Sequence, residues 1–312
     1  MRTLQQRKQN TALLSVISNS LLVIGKLIVG VVIGSVSVIS EAIHSGNDLV
    51  AAVIAFFAVR TSNKPADSKH SFGHGKYENI SGAIEAILIF VAAGWIIYEA
   101  VLKLINPGEM EEVSWGILVM IVSALVNLFV SSRLFKVAKE SDSIALEADA
   151  WHLRTDVYTS FGVAAGLGIY SLVRYFYPDV DVFWIDPVCA IIVALLIVRA
   201  AYDLTKKSVG GLLDESLPAE EVEVIKEIMN EHRPQLISFH DFRTRKSGAD
   251  RFVEFHMVVS ASMSVKESHD ICDDITLKIK DKLNNTIVMI HIEPCDNSCM
   301  EKCVQHCSIK QK

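Results

Sequence analysis

The chain has 312 residues, of which 51% are hydrophobic and 21% are charged, and its formal net charge at neutral pH is −6. The hydrophobic fraction exceeds what a soluble domain of this length usually carries, which excludes a soluble enzyme. The negative charge argues against nucleic acid as a partner, because phosphate binding needs a basic face. The sequence also lacks a nucleotide-binding motif, so ATP-driven chemistry is not expected.

Long apolar segments fill the first two thirds of the sequence. Residues 11–34 have Lys26 as their only charge, and residues 113–132 have none. Segments of this length can cross a bilayer core of ~30 Å as helices. The sequence predicts six transmembrane helices, at about residues 11–33, 36–59, 80–101, 113–132, 145–173 and 183–204.

The basic residues near the ends of these helices predict their orientation. They precede the first helix, lie between the second and third, and follow the fourth and the sixth. The loops on the other side carry acidic residues instead. Because positive charge is retained on the cytoplasmic side, both termini are expected in the cytoplasm.

Mixed polar and apolar segments begin after Gly210 and are typical of a small soluble domain. Their periodicity predicts helices over 218–232 and 265–283 and strands over 237–245, 251–260 and 287–292, in the order α-β-β-α-β. The predicted fold is therefore a polytopic α-helical membrane protein with a C-terminal α+β cytoplasmic domain. The expected divisions are a transport domain over 1–208, a metal-binding domain over 209–294 and a cysteine-rich tail over 295–312.

Two predicted membrane helices carry matched pairs of ionisable residues. His44 and Asp48 lie on the second helix, and His152 and Asp156 lie on the fifth, each pair spaced i, i+4 on one helix face. Two imidazoles and two carboxylates suit a tetrahedral Zn²⁺, and the carboxylates would offset its charge. The alternative is two unrelated hydrogen-bonded contacts between helices.

Further histidines and carboxylates cluster outside the membrane helices. Groups of three or more such residues are typical of a metal site, although a single histidine is more often an ordinary surface residue. The loop between the second and third helices contributes Asp67, His70 and His74. The carboxyl-terminal domain contributes His240, His256, His269, His291 and Glu293.

These features together resemble the cation diffusion facilitator family, and closely its bacterial zinc/proton antiporter branch. The resemblance rests on the six helices, the two His-x-x-x-Asp pairs, the loop DSKHSFGHGK at 67–76 and the strand motif HDFRTR at 240–245, and it covers about residues 8–295. It implies a homodimer with a metallochaperone-like cytoplasmic domain. It also implies an intramembrane transport site, a loop metal site and a binuclear carboxyl-terminal metal site. By the resemblance, the transport site falls on His44, Asp48, His152 and Asp156; the loop site on Asp67, His70 and His74; the binuclear site on His240, His256, His269, His291 and Glu293; and a charge pair at the dimer interface on Lys76 and Asp214.

Three features depart from the family pattern. Relatives in this branch often carry aspartate where His44 stands, and the family associates the two-nitrogen, two-oxygen arrangement with stronger zinc preference. Glu293 replaces the usual aspartate and has a longer side chain. The tail, which has no counterpart in the common pattern, contains Cys295, Cys299, Cys303 and Cys307. If helical, these thiols would form one stripe that could share a soft metal, whereas a disordered, redox-active or functionally neutral tail is an equal alternative.

The sequence predicts a secondary transporter that exports Zn²⁺ from the cytoplasm in exchange for protons, with Zn²⁺ also acting as a regulatory ligand. The partners are a second copy of the chain, divalent metal ions, protons and membrane lipid. The location expected is the plasma membrane of a prokaryote, because the histidine-rich insertion common in eukaryotic relatives is missing. The alternatives are export of Fe²⁺, Cd²⁺ or Mn²⁺ by the same mechanism, and a membrane-anchored metal sensor or assembly protein.

Overall fold

The computed structural model describes residues 3–34, 36–106, 116–176 and 184–295. By its internal contacts the chain divides into two compact units, Met1–Val209 and Gly210–Lys312. The predicted cysteine tail begins with Cys295, the last residue of the final strand, which is a free thiol. Cys299, Cys303 and Cys307 lie outside the described residues, so the tail stays a prediction.

The first unit consists of long helices. Thr3 caps the first of them through a capping box with Gln6, and Gly34 ends it in the left-handed conformation, with φ 67°. The helices are α1 Leu4–Ile33, α2 Val36–Ser62, α3 Lys76–Ile105, α4 Gly116–Ser141, α5 Ile144–Phe176 and α6 Ile185–Leu212.

Within the described residues, five of these helices, α1, α2, α3, α4 and α6, are long and apolar enough to cross a membrane. The 33-residue helix α5 has sufficient length as well. It carries four charged residues in its first half, Glu147, Asp149, Arg154 and Asp156. The predicted helical membrane region is confirmed.

Small buried side chains let the helices of this unit approach one another closely. α2 packs against α1, α3 and α5, and its Ala51, Ala52 and Ala55 are fully buried. Ala145 and Ala148 of α5 are also fully buried. Because lipid supplies no hydrophobic force between helices, such small residues stabilise helix pairs by close van der Waals contact. This packing places α2 and α5 side by side.

A buried polar cluster joins four elements near the start of α3. The Glu78 carboxylate forms an ion pair with Lys8 of α1 and accepts a hydrogen bond from Ser143, the residue before α5. Ser62, the last residue of α2, donates to the same carboxylate at 2.6 Å. The buried charge of Glu78 is therefore both paired and hydrogen-bonded, as a charge in an apolar interior must be.

The second unit contains three strands and two helices after the end of α6. They are α7 Ala219–Glu231, β1 Ser238–Ser247, β2 Asp250–Ser260, α8 Val265–Lys282 and β3 Thr286–Cys295. The strand order is β1-β2-β3, with β1 and β2 antiparallel and β2 and β3 parallel. Gly248, with φ 59°, makes the tight turn between the antiparallel strands, and α8 makes the crossover that a parallel pair requires.

The two faces of this sheet differ. Val253, Phe255 and Met257 of β2 point into the core, where they join Ile225 of α7 and Ile275 of α8. Because successive strand residues alternate, His256 points to the opposite face, away from the helices. The predicted order α-β-β-α-β and the α+β class of this domain are confirmed.

Candidate metal centres

Three of the four predicted transport ligands come together between α2 and α5. His44, Asp48 and Asp156 each offer a ligand atom within 4.8 Å of the others. His152 Nε2 lies 3.1 Å from Asp48 Oδ1. Asp48 is 5% exposed and His152 is 9% exposed, so these two side chains are largely removed from solvent. One imidazole nitrogen and two carboxylate oxygens can thus face one small cation, and the imidazole of His152 adjoins this group through Asp48.

A neighbouring helix holds one of these ligands. The side-chain amide of Asn127 on α4 donates to Asp156 Oδ2 at 3.1 Å. Such an outer hydrogen bond fixes which oxygen of a carboxylate faces the ion. Sequence reasoning missed Asn127, although a polar side chain inside the uncharged segment 113–132 was a usable signal.

The ligand-bearing face of α2 is also tied to α1. Lys26 Nζ donates to Ser45 Oγ at 2.8 Å, and Ser45 directly follows His44. Lys26 is only 7% exposed, so this lysine points inward between the helices instead of reaching the membrane interface. The contact restrains the turn of α2 from which His44 projects.

The predicted loop site is assembled in the segment between α2 and α3. Asp67 Oδ2 lies 3.3 Å from His74 Nε2, and Asp67 Oδ1 lies 3.4 Å from His70 Nδ1. The two imidazole rings are 4.4 Å apart. All three residues can therefore direct one ligand atom each toward a common ion.

Two backbone hydrogen bonds hold the carboxylate of Asp67 in place. The backbone N–H groups of His70 and Lys69 donate to Asp67 Oδ1 at 2.7 Å and 2.9 Å. These hydrogen bonds, the one from His70 foremost, hold the pKa of the Asp67 carboxyl below its usual value. Asp67 is therefore ionised at neutral pH and able to bind a cation.

The carboxyl-terminal histidines meet on the helix-free face of the sheet. The strand register places His240 opposite His256, and His256 beside His291, so the three lie in a row across β1, β2 and β3. The Glu293 carboxylate reaches all three, at 3.3 Å from His240 Nε2, 2.9 Å from His256 Nδ1 and 3.8 Å from His291 Nε2. The longer arm of glutamate thus spans the row.

The same residues form two overlapping ligand groups. One contains His240, Asp241 and His256, and the other contains His256, His291 and Glu293. Asp241 was missed by sequence reasoning, because alternation puts it on the opposite face from His240. An irregularity between His240 and Arg243, with φ 48° at Asp241, lets its side chain join the histidines.

His269 does not join this row within one chain. It lies on α8, on the other side of the sheet, where its Nε2 is 3.6 Å from Asp273 Oδ2 and its side chain is 70% exposed. Its role as a metal ligand stays a prediction. The predicted charge pair of Lys76 and Asp214 also stays a prediction; within the second unit, Asp214 Oδ1 lies 3.4 Å from Arg245 Nη1.

Comparisons with known proteins match both units. Residues 12–213 match the family model described as the cation efflux transmembrane domain. Residues 217–295 match the model described as the cation efflux protein cytoplasmic domain, which is named for dimerisation. The membrane-domain match alone covers more than half of the chain.

Similar full-length proteins occur in several bacteria. An uncharacterised transporter of Synechocystis is 33% identical over 264 residues, which cover 85% of this chain and 83% of the relative. The cation-efflux pump FieF of Escherichia coli is 30% identical over 278 residues, covering 88% and 89%. The FieF protein of Shewanella oneidensis is 29% identical over 269 residues, covering 86% and 88%.

Two solved structures align with part of this chain. A CzrB structure in its Zn form is 35% identical, with a TM-score of 0.26, and covers 28% of this chain and 99% of its own. The metal-bound C-terminal domain of CzcD from Thermotoga maritima is 27% identical, with a TM-score of 0.24, and covers 27% and 100%. The two family matches and the similar full-length proteins show that the chain belongs to the cation diffusion facilitator family of multi-pass cation efflux transporters.

Proposed function

We propose that this protein is a secondary antiporter that moves Zn²⁺ out of the cytoplasm in exchange for protons. The observation that carries the proposal is the group of His44, Asp48 and Asp156 between two helices of the membrane unit, with His152 beside Asp48. Zn²⁺ is commonly bound by four ligands in a tetrahedron, and it accepts both imidazole nitrogen and carboxylate oxygen. The donor set supports zinc before other divalent ions.

The charges of the site account for an exchange with protons. Asp48 and Asp156 offset the two positive charges of the ion, so the loaded site is near neutral. Without the ion, two carboxylates would remain as unbalanced charge in a low-dielectric region, which is costly. Protons that enter as the ion leaves remove this cost.

Protons and metal also compete for the same atoms. A metal-binding imidazole nitrogen must be unprotonated, so metal binding and proton binding exclude each other there. His152 Nε2 lies within hydrogen-bond distance of Asp48 Oδ1, at 3.1 Å, so the two groups can share one hydrogen atom. A bound zinc ion would take the place of that hydrogen atom.

An inward proton gradient can drive this cycle by alternating access. The helices that carry the ligands pack through small side chains, and such groups of helices can rock as rigid bodies about a central site. In the proposed orientation both termini lie in the cytoplasm, and the membrane is the inner membrane of a bacterium. Two copies are joined through their cytoplasmic domains.

The loop and sheet sites are proposed to regulate transport by binding Zn²⁺. The row of His240, His256, His291 and Glu293 lies on an open sheet face of the second unit, outside the membrane helices. Metal bound there adds positive charge to an acidic domain and would favour its association with a second copy.

Cadmium, iron and manganese are the competing substrates. Mn²⁺ is least favoured because it prefers a coordination shell richer in oxygen. Cd²⁺ is disfavoured because it is larger than the ion that a compact ligand set with two imidazoles fits. A membrane-anchored sensor is the competing class of protein. It would bind metal at the sheet without needing four ligands between α2 and α5.

The test is uptake of radioactive zinc into proteoliposomes across an imposed pH gradient. Wild-type protein should accumulate zinc in the compartment of lower pH, and collapse of the gradient with an ionophore should release it. A protein that binds zinc but moves none under any gradient would be a sensor. Uptake of manganese in preference to zinc would refute the assignment of the metal.

A further inference from the structure

A row of buried polar side chains runs along one face of α3. Glu78, Ser81 and Glu85 follow one another at i, i+3 and i+7, which places them on the same side of the helix. None of the three is more than 1% exposed. Ser81 Oγ donates to Glu85 Oε1 at 3.4 Å, whereas Glu85 Oε2 has no hydrogen-bond partner in the described parts of the chain.

A second buried carboxylate continues the row toward the transport site. Asp149 of α5 is fully buried, and neither of its carboxylate oxygens forms a hydrogen bond that meets normal geometry with a described residue. It interacts electrostatically with Glu85 of α3 and with His152 and Asp48 of the predicted transport site. The hydroxyl of Ser15 on α1 also faces it.

The two carboxyl groups cannot both be charged in this environment. An unpaired buried carboxylate is strongly disfavoured, and two facing carboxylates disfavour each other further, so at least one of Glu85 and Asp149 holds a proton. A pair that served only to join α3 and α5 would satisfy its oxygens with mutual hydrogen bonds. Glu85 and Asp149 instead have carboxylate oxygens that no described side chain binds, so either group can take up a proton.

The row of buried polar residues extends from the start of α3 to the neighbourhood of the transport site, as a path for protons would. Seven residues of helix separate Glu78 from Glu85, a rise of about 10 Å. At one end, Glu78 meets Lys8, Ser62 and Ser143 near the start of α3. At the other end, Asp149 stands three residues before His152 on α5, one turn from the transport site.

We propose that Glu85 and Asp149 form a proton relay between the transport site and the Glu78 end of α3, separate from the path of the metal. In each step the O–H bond of one carboxylic acid breaks and a new O–H bond forms on the ionised neighbour, after a side-chain rotation or through a bridging water molecule, so the charge of the pair is unchanged. In the proposed orientation this route releases protons to the cytoplasm. The relay rests on the proposed proton-coupled transport and names residues that serve it.

The test separates proton transfer from metal binding with the nearly isosteric variant Glu85→Gln. Zinc binding is measured by calorimetry in detergent, and zinc flux is measured in proteoliposomes in two modes, zinc exchange at equal pH and uptake driven by a pH gradient. Asp149→Asn is measured in parallel. The matched control is Glu147→Gln, which removes an α5 carboxylate that instead pairs with Lys207 at 2.6 Å.

Glu85→Gln should bind zinc and exchange it at equal pH as wild type does. Its uptake driven by a pH gradient should fall by roughly 100-fold, the lower range of what a positioned proton-transfer group contributes. Asp149→Asn should likewise keep zinc binding and exchange but lose driven uptake. Glu85→Asp should recover part of the driven uptake, and Glu147→Gln should match wild type in all three measurements.

Wild-type driven uptake in both Glu85→Gln and Asp149→Asn would overturn the relay and leave the antiport proposal intact. Equal losses of zinc binding, exchange and driven uptake in both variants would also overturn it, because the two carboxyls would then be structural. If wild-type uptake itself ignores the pH gradient, the proposed function fails first and the relay fails with it.

Discussion

Removing the amide that holds Asp156 should weaken zinc binding without unfolding the membrane unit. Asn127 Nδ2 donates to Asp156 Oδ2 at 3.1 Å, and Asn127 is 5% exposed. In Asn127→Ala this donor is lost, so the carboxylate can rotate and must find another partner. The other ligands are left in place.

The size of the effect follows from the type of bond. A hydrogen bond to a charged group contributes about 1.5 to 3 kcal/mol, and each ~1.4 kcal/mol is tenfold in affinity. The dissociation constant for zinc should therefore rise about 10- to 100-fold, which agrees with the effect of outer-shell partners at other metal sites. Zinc flux at low zinc concentration should fall in proportion.

Calorimetric titration of zinc into the purified protein measures this change. The matched control is Ser131→Ala, one turn further along the same face of α4, whose hydroxyl donates to the backbone oxygen of Leu128 at 3.2 Å. The control should bind zinc as wild type does. A dissociation constant in Asn127→Ala within twofold of the control would refute the reasoning that this amide positions a zinc ligand.

Three further outcomes are expected. His44→Asp should raise the ratio of cadmium to zinc flux, because a carboxylate adds an oxygen ligand and raises the charge of the empty site from −2 to −3. His291→Ala should reduce the zinc-induced rise in the melting temperature of the domain 210–312, since it removes one member of the histidine row. His232 Nε2, 2.8 Å from Asp274 Oδ2, holds the pKa of Asp274 below its usual 3.8. The stabilisation from this contact is present above that value and is lost as the pH falls through the lower folded value. Asp274→Asn should therefore lower the free energy of unfolding of the domain at pH 7, and the difference should shrink toward pH 3 in urea unfolding.

Each of these outcomes has a contrary result. An unchanged cadmium-to-zinc ratio in His44→Asp would place selectivity in the packing around the site. Full zinc stabilisation in His291→Ala would remove that histidine from the ligand set. A stability loss in Asp274→Asn that is equal at both pH values would show that the contact does not act through the charge of Asp274.

The membrane helices and the order of the second unit were predictable because hydrophobic length and periodicity report them directly. The two His-x-x-x-Asp pairs were predictable for the same reason, since the i, i+4 spacing fixes a shared helix face. The helices extend beyond the apolar segments, as α3 shows by beginning at Lys76 and ending at Ile105. The polar turns at the ends of a helix stay helical because the backbone hydrogen bonds continue through them. A count of apolar residues therefore cannot locate the ends of the helix.

Contacts between different elements were not predictable from spacing. The bond from Asn127 to Asp156 depends on how α4 rotates against α5, and the electrostatic interaction of Asp149 with Glu85 depends on the approach of α3 to α5. Asp241 joins the histidine row only because of an irregularity in β1. The resemblance assigned His269 to the carboxyl-terminal metal site. Within one chain, however, His269 lies on α8, on the other side of the sheet.

The most direct test of the account is the simultaneous measurement of zinc and proton fluxes in the same proteoliposomes, with one dye for each ion. Wild-type protein should move protons in the direction opposite to zinc, in a fixed ratio at every gradient. Asp156→Ala should abolish both fluxes together, because the transport site then lacks a ligand and half of its negative charge. Zinc movement without opposite proton movement, or wild-type zinc flux in Asp156→Ala, would contradict the account.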